Sequence, residues 1–227
     1  MTRRLITAFG ALVSLGVTGC AASAAGQTSA VAPSPAPGVV RVAVVGDSIT
    51  EADSLDFDDG DIGPGSWARR AEGGAVQVVG GWAHGGATTA DMVAGVRALD
   101  ADVLVLMAGS NDLDADVAVT RIADGLVTIA TEAEVPRVLL STVPPEDGYE
   151  QQTQDLNRRL RVLARDHGWE LVDAMAGVRG ADGGWLPGMS EDGVHPDEAG
   201  ADVIGAALRT AILRTAGTTS ALPAGAT

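Results

Sequence analysis

The sequence predicts a three-layer α/β/α sandwich built around a mostly parallel sheet of about five strands. Strand-like and helix-like segments alternate along most of the chain, which is typical of this architecture. The strand-like segments are continuous runs of Val, Leu and Ala, as expected for parallel strands whose two faces are both covered. The 227 residues, 46% of them hydrophobic, are also enough for one complete domain with its own core.

Five strands and five helices follow from this pattern. The strands are expected at 39–45, 75–80, 102–107, 136–142 and 169–172, and the helices at 66–72, 88–99, 115–133, 151–167 and 196–213. In the helix at 115–133, Ile122 and Leu126 belong to one apolar stripe. In the helix at 151–167, Arg158, Arg161 and their neighbouring arginines lie away from the leucine stripe. We interpret them as a solvated helix face rather than an anion site.

The N-terminus has the features of an export signal. Arg3 and Arg4 precede an apolar run, Leu5 to Val17, that is too short to cross a membrane comfortably. Cys20, the only cysteine, ends the sequence Val17-Thr18-Gly19-Cys20, which resembles a bacterial lipoprotein signal. An ordinary signal peptide cleaved within 21–25 is the alternative. Both readings place the protein outside the cytoplasmic membrane.

The domain organisation follows from these segments. We predict a lipoprotein signal peptide at 1–19, with Cys20 as the lipidation site that attaches the chain to the membrane. An Ala/Ser/Pro-rich tether is expected at 20–38 because such a composition cannot bury enough surface to order itself. The folded domain is expected at 39–214, and a disordered tail at 215–227.

Composition excludes several classes of function. The chain has 30 acidic and 15 basic residues and a formal charge of −15, which argues against a nucleic-acid partner. All of the basic residues are arginines. Without a lysine the chain cannot be a P-loop ATPase or a Schiff-base enzyme, because each needs a lysine amine. We expect no cofactor and no metal, and a monomer.

Four short sequence words follow one another along the predicted domain. They are Gly46-Asp47-Ser48-Ile49-Thr50, Gly85-Gly86-Ala87-Thr88, Gly109-Ser110-Asn111-Asp112 and Asp192-Gly193-Val194-His195-Pro196. The first three each come after a predicted strand, and the fourth comes just before the last predicted helix. Ligands of open α/β sheets bind outside the carboxyl ends of the strands, so the four words can converge on one crevice.

The words contain the parts of a serine nucleophile site. Ser48 would be the nucleophile, although a serine after a strand is by itself more often a helix N-cap. His195 would be its base, and Asp192, three residues earlier, could orient the imidazole; the order Ser, Asp, His is one in which such triads occur. Asn111, Gly86 and the amide of Ser48 could donate to an oxyanion.

These words resemble the SGNH branch of the GDSL esterase and lipase family over roughly 39–213. The resemblance implies an SGNH/flavodoxin-like fold and a hydrolase. It assigns Ser48, Asp192 and His195 to catalysis and Ser48, Gly86 and Asn111 to the oxyanion hole. One position departs from the family pattern: an asparagine usually stands about five residues before the oxyanion glycine, and Gly81 stands there. Gly85 is therefore kept as the rival of Gly86.

Other candidate features have simpler interpretations. The aspartates that follow the nucleophile do not match calcium-loop spacing, and we interpret residues 53–61 as a solvated acidic loop; if it lines the site it should disfavour anionic substrates. For His84 we expect a structural or surface role. Trp67, Trp82 and Trp185 are expected in the core, with a pocket wall as the alternative.

The sequence thus predicts an extracytoplasmic serine ester hydrolase that cleaves carboxylic esters, with a mild preference for short acyl groups. The expected partner is a small-molecule or glycan ester, and membrane contact is expected only through the lipid anchor. Removal or transfer of acyl groups on polysaccharide is the alternative enzyme. A surface binding module that keeps the fold without turnover is the alternative outside enzymes.

Overall fold

The computed structural model describes residues 38–217, which form one five-stranded sheet with helices on both faces. All neighbouring strands are parallel, and their order across the sheet is β2-β1-β3-β4-β5. The strands are β1 Val40–Gly46, β2 Val76–Ala83, β3 Val103–Met107, β4 Val138–Ser141 and β5 Glu170–Val172. The predicted fold class and its five parallel strands are confirmed.

Seven helices surround the sheet within residues 38–217. They are α1 Ser48–Glu51, α2 Trp67–Ala71, α3 Thr89–Gly95, α4 Ser110–Asp114, α5 Val119–Ala133, α6 Glu150–His167 and α7 Glu198–Gly217. The short α1 and α4 directly follow β1 and β3, and the sequence pattern did not predict them as helices. The other five match the predicted helices, with ends that differ by up to four residues.

The sheet separates two apolar cores, because successive strand residues point to opposite faces. Val42 and Val44 of β1 pack in one core with α2 and α7. Ala43 and Val45 pack in the other with α3, α5 and α6. Both faces of β1 are therefore buried from Val42 to Val45, which explains the continuous apolar run there.

A register shift near the carboxyl end of β1 explains the departure at Gly81. The pairing of β1 with β2 shifts between Val42 and Val44, and Val44 then lies opposite Gly81. Gly81 has φ +148°, and a Cβ on it would lie 2.0 Å from the carbonyl oxygen of Val44. An asparagine side chain, as in the family pattern, does not fit at this point of the sheet.

The predicted boundary between domain and tail at residue 215 was wrong by a few residues. Helix α7 continues to Gly217, because Thr215 is buried and its hydroxyl lies 2.9 Å from two acceptors, the carbonyl of Ala211 and the carboxylate of Glu170. The signal peptide, Cys20, the tether up to residue 37 and the tail from 218 lie outside the described residues. Among the helices of residues 38–217, none is both long and apolar enough to span a membrane.

Candidate active site

The carboxyl ends of three strands bring three of the sequence words together. β1 ends at Gly46, β2 at Ala83 and β3 at Met107, and these strands are adjacent or share β1 as neighbour. The fourth word lies in the segment between β5 and α7, which has no strand or helix of its own. This segment returns over the sheet and places His195 beside Ser48.

Ser48 is the first residue of α1, and Asp47 rather than Ser48 caps this helix. The Asp47 carboxylate accepts the N–H of Ile49 at 3.1 Å and is almost completely buried. The simpler interpretation of Ser48 as an N-cap is therefore wrong. With the capping position filled by its neighbour, the serine hydroxyl is available to another partner.

Ser48, His195 and Asp192 form one continuous chain of hydrogen bonds. The Nδ1 atom of His195 lies 2.8 Å from Oδ2 of Asp192, and its Nε2 atom lies 3.0 Å from Oγ of Ser48. Since an ionised carboxylate can only accept, Nδ1–H donates to Asp192. The neutral imidazole then has a lone pair at Nε2, which accepts the Ser48 hydroxyl proton. This is the arrangement of a nucleophile, a base and a group that orients the base.

Asp192 is held as a carboxylate by donors from its own loop. Its Oδ1 atom accepts the backbone N–H groups of Val194 at 2.9 Å and His195 at 2.7 Å. The side-chain bond from His195, followed by these two backbone bonds, holds the pKa of Asp192 well below its usual range. Asp192 therefore stays ionised wherever His195 can act as a base.

Two residues from outside the word support this loop through Gly193. The carbonyl of Gly193 accepts the backbone N–H of Asp147 at 2.9 Å and the indole N–H of Trp185 at 3.1 Å. Trp185 is partly buried and packs against the core, as expected, while its indole N–H reaches this loop. Both residues fix the peptide on which Asp192 and His195 stand.

The candidate oxyanion donors come from the first three words. The side-chain amide of Asn111 donates one of its two protons to the carbonyl of Ala87 at 3.0 Å, which ties α4 to the second word and leaves the other proton for a ligand. Within residues 38–217, the backbone N–H groups of Ser48, Gly85 and Gly86 donate to no protein acceptor. All three are free to meet an anion.

The two glycines of the second word differ in their surroundings. Gly86 has φ +73°, and a Cβ on it would meet nothing within 4 Å. A Cβ on Gly85 would lie 3.1 Å from Oε2 of Glu51 and 4.0 Å from Cβ of Ser48. Both glycines therefore remain candidates for the oxyanion donor. Gly86 directly precedes Ala87, whose carbonyl binds Asn111, and Gly85 lies closer to Ser48.

Two buried carboxyl groups lie behind the triad. Burial raises the pKa of Asp47 to about 6. Burial, together with the nearby charge and hydrogen bond of Asp114, raises the pKa of Glu146 to about 7. Both carboxyl groups interact electrostatically with His195.

A small cavity opens directly over the nucleophile. Its volume is about 240 Å³, and it is lined by Ser48, Ile49, Ala52, Gly65, His195 and Pro196. A larger cavity of about 730 Å³ lies at the amino ends of β4 and β5, where Arg137, Trp169 and Glu170 line it. The larger cavity lies at the opposite end of the strands from Ser48, so only the smaller one adjoins the hydrogen-bonded triad.

The acidic loop is more ordered than a simple solvated loop. Asp58 accepts from Ala83 N–H at 3.2 Å and lies 3.0 Å from Nε2 of His84, which gives His84 a structural partner. Asp53 accepts the N–H of Gly65, a residue of the cavity wall. Trp67 is fully buried, and within residues 38–217 no group of three or more potential ligands is placed to hold a metal ion.

The chain matches the model of the GDSL-like lipase/acylhydrolase family over residues 44–203, a range that contains all four words. The chain belongs to this family. The match covers most of the described domain and includes Ser48 and His195. No curated protein matches the sequence of this acylhydrolase at a significant level.

Solved structures with the same fold include several hydrolases. An α/β hydrolase enzyme from the metagenome of Lake Arreo, Spain, is 23% identical, with 76% of this chain and 94% of that chain covered and a TM-score of 0.62. A GDSL-like lipase from Bacteroides thetaiotaomicron is 20% identical, with 79% and 91% covered and a TM-score of 0.61. An acetylxylan esterase from Geobacillus stearothermophilus is 19% identical, with 76% and 94% covered and a TM-score of 0.60. At these identities the likeness shows the fold.

Several residues of the site were missed by sequence reasoning. Asp47 had a usable signal, since aspartate directly before a helix is a favoured N-cap. Asp112 directly follows Asn111 in the third word, but the sequence does not show that it binds Thr89. Glu146 had no signal, because it lies in the loop after β4, outside the four words. Trp185 was expected in the core or in a pocket wall, and its sequence position does not show its bond to Gly193.

Proposed function

We propose that this acylhydrolase is an extracytoplasmic hydrolase of carboxylic esters that reacts through an acyl-enzyme on Ser48. The observation that carries the proposal is the hydrogen-bond chain from Ser48 through His195 to Asp192, with bonds of 3.0 and 2.8 Å. Membership of the GDSL-like family supports the same chemistry. A binding module without turnover would not need a base in hydrogen-bond contact with a free serine.

In the proposed reaction, Oγ of Ser48 attacks the ester carbonyl carbon while Nε2 of His195 takes the hydroxyl proton. The imidazolium that forms is stabilised by Asp192. When the tetrahedral intermediate collapses, the bond to the alcohol oxygen breaks and His195 returns the proton to that oxygen. A water molecule then attacks the acyl-enzyme with His195 again as the base, releasing the acid and restoring Ser48.

The oxyanion of each tetrahedral intermediate needs donors that are in place before the reaction. The N–H groups of Ser48 and Gly86 and the remaining proton of the Asn111 amide fill this role, with the Gly85 N–H as the rival of Gly86. These donors are free of protein acceptors, and Asn111 is fixed by Ala87. Such preorganised donors stabilise the transition state more than the substrate.

The cavity favours a short acyl group. A volume of about 240 Å³ beside Ser48 accommodates an acetyl group readily but not an extended fatty chain. The other side of the triad is open, since the side chains of His195 and Asp192 are 46% and 56% exposed. Small acyl groups on bulky alcohols fit this shape.

A second candidate function is the removal of O-acetyl groups from polysaccharide. The exposure of His195 on the side of the leaving alcohol favours it, because a sugar chain could lie across the loop without entering a closed pocket. The acetylxylan esterase among the structures of the same fold adds weight to this candidate. We also propose lipid attachment at Cys20, supported by the sequence pattern before it.

Hydrolysis of chromogenic esters from acetyl to palmitoyl, together with acetylated xylan, tests the proposal. We expect turnover of the acetyl ester, a steep loss beyond butyryl, and no turnover by Ser48→Ala, which removes the nucleophile without adding bulk. A folded wild-type protein that hydrolyses none of these esters would favour the binding module. A preference for palmitoyl esters would contradict the proposed preference for short acyl groups.

A further inference from the structure

The second and third sequence words are held together by a buried contact at Thr89. The carboxylate of Asp112, which is 1% exposed, accepts the backbone N–H of Thr89 at 2.8 Å and its hydroxyl at 2.7 Å. Asp112 directly follows Asn111, and Thr89 begins the helix that follows Gly86. The contact therefore joins the two chain segments that supply the oxyanion donors.

Thr89 is also confined from the side of α5. A Cβ on Gly125 would lie 2.9 Å from Cβ of Thr89 and 3.0 Å from its hydroxyl oxygen. The glycine thus leaves just enough space for the threonine, while Asp112 holds it from the other side. Thr89 is 3% exposed and has little room to move between them.

Burying a carboxylate at this position costs folding free energy, which indicates that Asp112 has a role besides packing. Removing a polar group such as the Asp112 carboxyl from water costs free energy, and the hydrogen bonds to Thr89 offset only part of that cost. An apolar pair at the same two positions could pack α3 against α4 without this cost. Apolar contacts are not directional, whereas two hydrogen bonds to one carboxylate fix a single geometry between the two segments.

A second bond between the same segments depends on this geometry. The Asn111 amide donates to the carbonyl of Ala87 at 3.0 Å, and Ala87 directly follows Gly86. If Thr89 shifts relative to Asp112, Ala87 shifts relative to Asn111, and the two oxyanion donors lose their common target. A displacement of a few tenths of an ångström is enough to weaken a transition-state hydrogen bond.

We propose that Asp112 is a positioning residue which, through its two hydrogen bonds to Thr89, sets the distance between the Gly86 N–H and the Asn111 amide. This inference rests on the proposed ester hydrolysis. Asp112 touches no substrate and acts through Asn111 and Gly86. Thr89 is its partner, and Gly125 provides the space that the pair requires.

The test compares variants at Thr89 in two backgrounds, with turnover of 4-nitrophenyl acetate as the readout. Thr89→Val removes the hydroxyl bond at nearly constant volume and should lower kcat about 5- to 20-fold with little change in KM. Thr89→Ser keeps the hydroxyl and should retain most of the activity. In the Asn111→Ala background, Thr89→Val should cost less than twofold, since the donor through which it acts is gone.

The same replacement at Thr128 is the matched control. Its hydroxyl donates to the backbone carbonyl of Asp124 at 3.1 Å, a bond that stays within α5. Thr128→Val should leave kcat unchanged. An equal loss for Thr89→Val with and without Asn111, or no loss in a folded variant, would overturn the positioning role.

A measurement that needs no turnover separates this inference from the proposed function. The NMR signals of the Gly86 amide and the Asn111 side-chain amide report their surroundings in the free protein. Thr89→Val should shift both and speed their hydrogen exchange, whereas Thr128→Val should not. Unchanged signals refute the positioning role. If Thr89→Val perturbs both signals but the wild-type protein hydrolyses no ester, only the proposed ester hydrolysis is refuted.

Discussion

The two halves of the candidate site are built in different ways. Ser48 and the oxyanion donors stand at the ends of buried strands, and contacts such as the bond from Asn111 to Ala87 tie them to one another. His195 and Asp192 stand on the irregular segment between Val172 and Glu198, with side chains that are about half exposed. The sheet half is fixed by the core, whereas the loop half is fixed by a few hydrogen bonds.

This difference indicates how each half should respond to mutation. In the sheet half, a change at a backbone contact should affect folding and oxyanion stabilisation. In the loop half, a change should affect proton transfer and leave the stability of the domain nearly intact. The following five changes test that contrast.

The largest effect is expected for Asp192→Asn in the loop half. The asparagine can donate to Nδ1 of His195, which favours the tautomer that carries its proton on Nε2 and cannot accept the Ser48 proton. We expect kcat to fall about 10²- to 10⁴-fold, with the thermal unfolding midpoint within about 2 °C of wild type. A normal kcat would remove Asp192 from its proposed role.

Asn111→Ala is the corresponding change in the sheet half. Loss of one oxyanion donor should lower kcat about 100- to 1,000-fold at nearly constant KM. The variant also loses the bond to Ala87, so its unfolding free energy should drop by about 1 kcal/mol. Steady-state kinetics and urea unfolding measure the two effects. A raised KM with normal kcat would assign Asn111 to ground-state binding.

Gly81→Ala tests how tightly the sheet half is packed. The new Cβ would meet the Val44 carbonyl, and a φ of +148° is itself strained for alanine. We expect the free energy of unfolding to fall by about 2–4 kcal/mol. Gly148→Ala is the control: its φ is +86° but its Cβ would meet nothing within 4 Å. Equal losses for both would mean that the close approach does not matter.

Glu146→Gln concerns the carboxyl group that lies between the halves. Because its pKa is raised to about 7 in the folded protein, ionising Glu146 costs stability. That cost is absent below the ordinary pKa near 4.5 and fully present above about 7. The variant should therefore be more stable than wild type by roughly 1–3 kcal/mol at pH 8.5 and equally stable at pH 4.

Urea unfolding at both pH values measures this difference. Glu132→Gln, at an exposed position of α5, is the control and should behave like wild type at both. If Glu146→Gln changed stability equally at pH 4 and pH 8.5, the burial of an ionisable group would not be the cause.

The contrast between the halves also accounts for what the sequence could predict. The strands and the words at their ends were recognisable, because a strand buried on both faces leaves a continuous apolar run and a turn needs glycine or a polar cap. The convergence of Ser48 with His195 followed from the order of the words and the rule for strand ends. The hydrogen bond between them is 3.0 Å long.

The remaining features depend on contacts between distant residues. Nothing around Gly81 shows that β1 and β2 change register there, since the clash is with Val44, 37 positions earlier. Trp185 was expected in the core, but the sequence does not show that its indole N–H donates to Gly193. The end of α7 was placed too early because the partner of Thr215 is Glu170, on the adjacent strand.

The smallest effect is expected for Trp185→Phe, again in the loop half. Phenylalanine keeps an aromatic ring but cannot donate to the Gly193 carbonyl, which retains its bond from Asp147. We expect kcat to fall about 2- to 10-fold with unchanged thermal stability. A large loss of stability instead would show that the loop half contributes to the fold.

Covalent labelling by a fluorophosphonate tests the central claim most directly, because the reagent reacts only with a serine that has an active base beside it. The account predicts one adduct, located by peptide mapping at Ser48, and none in the Ser48→Ala or His195→Ala proteins. A folded wild-type protein that stays unlabelled, or an adduct at a different serine, would contradict it.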